Sequence, residues 1–103
     1  MKRRKKMGIL IQYIENPSKI VQLTAVRENG CAIAYIKNPS EDVQIEAIKE
    51  DASSIRLFEN QTEKLQLLAL KHNENCFHGF NFKRDIKNPT KKVKTLYKLM
   101  MKI

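Results

Sequence analysis

The chain has 103 residues, 20 Lys and Arg against 11 Asp and Glu, a net charge of +9, and 42% apolar residues. That length and apolar content support one small core and one domain. There is no run of 18 apolar residues, which excludes a membrane-spanning helix in the sequence. Gly and Pro number only three each, and no alternation of apolar and polar residues is sustained, so strands are not expected.

The first six residues, MKRRKK, carry five positive charges and read as a basic tail; residues 7–103 read as a single helical domain. The opening superficially suggests a signal peptide, but Gln12 and Glu15 interrupt a short apolar run and no small-residue cleavage site follows. The chain is therefore expected in the cytoplasm. Two cysteines, Cys31 and Cys76, fit a reducing compartment as free thiols.

The segment Gly8–Ser18, GILIQYIENPS, recurs as Gly30–Ser40, GCAIAYIKNPS. Asn16-Pro17-Ser18 returns as Asn38-Pro39-Ser40, Asn60-Gln61-Thr62 and Asn88-Pro89-Thr90, at spacings of 22, 22 and 28 residues. Each of the first three triplets precedes one apolar frame: Val21-Gln22-Leu23-x-Ala25-Val26, Val43-Gln44-Ile45-x-Ala47-Ile48 and Leu65-Gln66-Leu67-x-Ala69-Leu70. A period of this size marks stacked units, none of which buries its apolar face alone. The fold class predicted is all-α: a short α-solenoid of about four 22-residue helix-turn-helix units, with an insertion in the third.

Within a unit, Asn-Pro-Ser/Thr reads as a helix start, with Asn as N-cap, Pro at the first helical position and Glu41 and Glu63 at the third. Asn29-Gly30 reads as the stop of the first long helix. A short helix over Cys31–Lys37 follows, and residues 8–15 match it, so the domain opens on a half-unit.

At about 100° per residue, with Val21 at 0°, Ala25 falls near 40°, Val26 near 140° and Leu23 near 200°. An apolar arc this wide suits a helix packed between its neighbours. The remaining strip carries Ile20, Thr24, Arg27 and Glu28 in the first unit, Asp42, Glu46, Lys49 and Glu50 in the second, and Lys64, Leu68, Lys71 and His72 in the third. It is the surface left for a protein partner. Leu96 and Leu99 continue it. Gln22, Gln44 and Gln66 lie inside the apolar arc, where a buried amide must find partners. With Asn16, Asn38 and Asn60 they are expected to form a structural ladder between side-chain amides and turns; a ligand-binding row is the alternative.

These residues carry a resemblance. Asn-Pro-Ser-x-x-Val-Gln-x-x-Ala-Val resembles the HEAT-type helical repeat. It is more closely similar to an uncharacterised family of short tandem repeats, NPSxxVQxxAVxxxGxAIxYIK, of bacterial and viral proteins. The likeness runs from Gly8 to about Leu70. Beyond it, Gln61 stands in place of Pro, Lys94 replaces the ladder Gln, and residues 74–87 do not align. The resemblance implies an α-solenoid used for binding, with no catalytic residues to carry over.

The insertion, residues 73–84, holds three of the four phenylalanines. Phe77, Phe80 and Phe82 are expected either to plug the last groove or, with Phe77 and Phe80 exposed, to extend the partner surface. His72, Cys76 and His78 match no standard metal-ligand spacing and lack a fourth ligand, so no metal site is expected. No cofactor, small-molecule substrate or catalytic set is legible. Charge is uneven: residues 38–59 hold two positive and six negative side chains, whereas residues 88–103 hold five positive and none negative. The first functional expectation is a non-enzymatic protein-binding module. Its small size and repeat type point to a phage or mobile-element protein that inhibits a host nucleic-acid-handling or defence effector. The second is direct binding of nucleic-acid backbone through Lys2, Arg3, Arg4, Lys5, Lys6, Lys91 and Lys92.

Overall fold

A computed structural model of the chain describes residues 10–73 and 80–101. Among these residues every regular element is a helix. Five are α-helical: α1 (Lys19–Glu28), α2 (Glu41–Glu50), α3 (Glu63–Lys71), α4 (Phe82–Asp85) and α5 (Lys91–Met101). Three are 3-10 helices: η1 (Ile11–Tyr13), η2 (Gly30–Tyr35) and η3 (Ala52–Leu57). The short helix expected over Cys31–Lys37 is thus a 3-10 helix displaced toward Gly30.

The long helices start at Ser or Thr, not at Asn. Ser18 and Thr62 accept the amides of Val21 and Leu65 at 3.3 and 3.2 Å, and Thr90 accepts that of Val93 at 3.3 Å. Ser40 holds the same extended N-cap backbone without the side-chain bond. This corrects the reading of Asn as the cap. Asn16, Asn38 and Asn88 instead adopt left-handed backbone, with φ of 52°, 48° and 49°, a conformation Asn tolerates better than most residues. Glu41 and Glu63 become first helical residues, where they still complement the helix dipole.

The helix stops also differ. Asn29 is extended, and its side chain accepts the Cys31 amide at 3.1 Å, so it caps the start of η2. Asp51 does the same for η3 through Ser53. Gly30 is required by crowding: a Cβ there would lie 2.7 Å from the Ala47 carbonyl oxygen.

Each long helix packs on the next, α1 on α2, α2 on α3 and α3 on α5; the short elements follow in parallel, η1 on η2, η2 on η3 and η3 on α4. The core repeats with the sequence. Ile11, Ile33 and Ile55 are buried at one position of successive short elements, and Ala25, Ala47 and Ala69 at one position of successive long helices. Small residues there let neighbouring helices approach closely. Around α4 and α5, Phe80 and Phe82 lie half-buried against the core, and the Phe82 ring stacks on Tyr97 with centroids 4.0 Å apart.

Candidate partner-binding face

The strip left over by the apolar arc divides into two parts. Its α1–α2 part is closed on itself. Lys19 pairs with Asp42 at 2.6 Å and Arg27 with Glu46 at 3.1 Å, across the helix interface. The Thr24 hydroxyl donates to the Ile20 carbonyl of its own helix at 2.8 Å. Thr24, Arg27 and Glu46 therefore serve contacts within the chain. The Lys19 ammonium, by hydrogen bond and then by charge, holds the exposed Asp42 carboxyl below its usual range.

The α2–α3 part opens into an apolar crevice of about 590 Å³, lined by Ile45, Leu67 and Leu68 and edged by Lys49, Lys64, Lys71 and Glu63. It brings Lys49, Leu68 and Lys71 together. A second crevice, of about 600 Å³, lies between α3 and α5, with Leu67, Leu96 and Leu99 as its floor and Lys91, Lys92 and Thr95 at its edge. Leu67 belongs to both, so the two form one surface across α2, α3 and α5. Leu68 and Leu96 are half-buried, whereas Leu99 is 56% exposed.

Five lysines border this surface and Glu63 is the one carboxylate among its lining residues. Glu63 is engaged by the Thr90 hydroxyl, and Lys64 pairs with Glu41 at 3.2 Å. Lys71, Lys91 and Lys92 have no ion-pair partner among the described residues. The face is consequently positive over an apolar floor. Lys91 and Lys92, assigned from sequence to a nucleic-acid contact, share it with the protein-binding strip. The apolar arc places Ile45 and Leu67 in helix packing, yet both are only half-buried and line the crevice, so the arc is wider than its neighbours cover. Phe80 packs inward against the core. Phe77, Cys76, His78 and the tail cations Lys2, Arg3, Arg4, Lys5 and Lys6 lie outside the described residues.

The ladder residues behave unequally. Gln22 donates to the Pro17 carbonyl at 3.0 Å. Gln66, 1% exposed, donates to the Gln61 side chain and to the Lys87 carbonyl. Gln44 is half-buried and its side chain makes no such bond among the described residues; it lines an open crevice with Asn38, Pro39 and Asn60. An equivalent crevice one repeat earlier holds Asn16, Pro17 and Gln22. At the third unit Gln61 replaces Pro, and its amide bonds the Ile55 and Asp85 carbonyls while accepting the Lys87 amide.

Cys31 lies beside Asp51 and Arg56. Burial, then the Asp51 carboxylate, raises its pKa and keeps it a neutral thiol. Asp85 is fully buried and is held by Arg84 at 2.6 Å and by the Asn81 amide at 2.9 Å. Asp85 thereby fixes the start of its own short helix, and Cys31 joins η2 to η3. No helix among the described residues is long and apolar enough to cross a membrane. No family model matches the chain, and no curated protein or solved structure matches it either.

Proposed function

We propose that the chain is a non-enzymatic protein-binding module, built as a HEAT-like α-solenoid of about four 22-residue units with an insertion in the third. The stepwise contacts α1–α2–α3–α5 and η1–η2–η3–α4 support the repeat reading. The binding reading rests on one observation, the pair of apolar crevices that meet at Leu67 and are bordered by lysine. An apolar surface of this kind, ringed by charge, is how a partner site differs from scattered surface leucines. On this reading the face covers a surface of another protein; a host nucleic-acid-handling or defence enzyme is the target class that the repeat type suggests.

The presence of Lys91 and Lys92 on the same face supports a second reading, in which the cations contact nucleic-acid backbone. One experiment separates the two. Immobilised wild-type chain, the Lys49→Glu/Leu68→Asp/Lys71→Glu variant and a chain lacking residues 2–6 are compared for protein capture and for retention of a random-sequence duplex. Circular dichroism serves as the folding control. Protein capture lost in the folded triple variant and kept in the truncation supports the first reading. Duplex retention that is lost in the truncation and collapses with salt supports the second.

A further inference from the structure

The geometry points to an acidic amphipathic helix as the partner, laid across α3 with one apolar side chain in each crevice. This rests on the protein-binding reading above and adds the chemistry of what is bound. Three features of the face carry it.

Charge is the first. Lys71, Lys91 and Lys92, without an ion-pair partner among the described residues, border the apolar floor beside Lys49 and the Glu41-paired Lys64, and the one lining carboxylate, Glu63, is bonded to Thr90. A basic or neutral segment would gain nothing from that border. An acidic one is steered to it and held in register.

Spacing is the second. The crevices flank α3, one against α2 and one against α5, so their centres are separated by about one helix-to-helix distance, roughly 8–10 Å. Residues i and i+7 of an α-helix lie about 10.5 Å apart on nearly the same face. An extended strand places same-face side chains about 6.7 or 13 Å apart, and neither matches. A helix thus reaches both crevices with two leucine-sized anchors, and a strand does not.

Floor composition is the third. Leu67, Leu68, Leu96, Leu99 and Ile45 offer no hydrogen-bonding side chain to a base edge or a sugar. A nucleic-acid backbone would meet the lysines and leave both apolar compartments unfilled.

The test uses three synthetic 18-residue peptides on an Ala/Gln background and the full-length chain. The first carries Leu at i and i+7 with flanking Glu. The second moves the leucines to i and i+5, on opposite faces. The third keeps the leucine spacing and replaces Glu by Lys. Binding is followed by fluorescence anisotropy. The first peptide is expected to bind at least about tenfold more tightly than either control, a difference of about 1.4 kcal/mol. Leu99→Asp, at an exposed position, and Lys71→Glu/Lys92→Glu should each erase the preference in a chain that circular dichroism shows to be folded. Equal binding of all three peptides, or preference for the basic one, overturns the proposal.

A random peptide library selected on wild-type chain, with Leu68→Asp and Leu99→Asp chains as counter-selection, separates the two levels. Face-dependent peptides without acidic residues overturn the acidic-helix proposal and leave protein binding standing. No face-dependent peptide sinks both. Self-association of the wild-type chain that Leu99→Asp abolishes would assign the face to a second copy and also overturn the proposal.

Discussion

The Gln66 side-chain amide donates to the Lys87 carbonyl at 2.8 Å, joining α3 to the loop that leads into α5 across 21 residues of sequence. The same amide contacts the Gln61 side chain at 3.2 Å. Gln66 is fully buried, so these bonds replace water that cannot reach it. The equivalent Gln44 reaches into an open crevice instead.

Removing the two amides should therefore have unequal effects. Gln66→Ala is expected to cost about 1–3 kcal/mol, from lost packing and from the two bonds its Nε2 donates, less what its unpartnered Oε1 already costs the folded chain. Gln44→Ala should stay within about 0.5 kcal/mol of wild type. Urea titrations of both variants decide this. Equal costs would mean that the 22-residue repeat, and not the local bonding, sets the role of the amide.

Gln61 yields a sharper case. Restoring the repeat pattern by Gln61→Pro would suggest stabilisation to a reader of the sequence alone. The structure argues for the opposite. The Gln61 amide serves the Ile55 and Asp85 carbonyls at 2.9 Å each and accepts the Lys87 amide at 2.8 Å. Asn60 also lacks the left-handed backbone that Asn16, Asn38 and Asn88 adopt before their prolines. The substitution should destabilise by about 2–4 kcal/mol, and a double-mutant cycle with Gln66→Ala should show coupling of at least about 0.5 kcal/mol.

These contrasts mark what the sequence could disclose. The 22-residue echo disclosed the helical class and the buried register, because Ile11, Ile33 and Ile55 occupy one position of one repeating unit. It did not disclose which residue of Asn-Pro-Ser caps the helix, since Asn and Ser are both good caps and Asn is also suited to left-handed backbone. The Gln61 network was hidden because it is made where the repeat fails, between residues far apart in the chain. The site was half legible. Lys49 and Lys71 share one helical angle and Leu68 lies about 60° from it on the same strip, so periodicity groups them. Lys91 and Lys92 join them only through the packing of α5 on α3, after a 28-residue step that no period predicts.

Gly30 tests the close approach of η2 to α2. A methyl group at Gly30 would sit 2.7 Å from the Ala47 carbonyl oxygen and 3.0 Å from the Asp51 Cβ. The Ala47 carbonyl is fixed by the α2 backbone and Asp51 by its cap on η3, so η2 must move. Gly30→Ala should cost about 1–3 kcal/mol, in excess of the few tenths gained from a stiffer unfolded chain. Ala52 occupies the equivalent place one repeat later and is fully buried, so the requirement is local crowding and not the repeat itself. Ala52→Gly should accordingly lose stability by about 0.5–1 kcal/mol or more, through added unfolded-state freedom and a small void. Chemical denaturation that shows Gly30→Ala as stable as wild type would refute the crowding.

The Lys19–Asp42 pair predicts a pH response of definite sign. The Lys19 ammonium lowers the Asp42 pKa in the folded chain, first by its hydrogen bond and then by its charge. A carboxyl depressed on folding favours the native state above its unfolded pKa, and that contribution is lost as pH falls through the folded value. Both side chains are more than half exposed, so the effect on stability should be small and should fade with added salt. The direct reading is the Asp42 side-chain carboxyl resonance followed by NMR from neutral to acid pH. In wild type its midpoint should lie below the ordinary aspartate value, and in Lys19→Ala it should return toward it. Molar salt should shift the wild-type midpoint in the same upward direction while leaving the variant nearly unchanged. A midpoint insensitive to Lys19 would mean that the α1–α2 end of the strip is open, and that Asp42 is available to a partner after all.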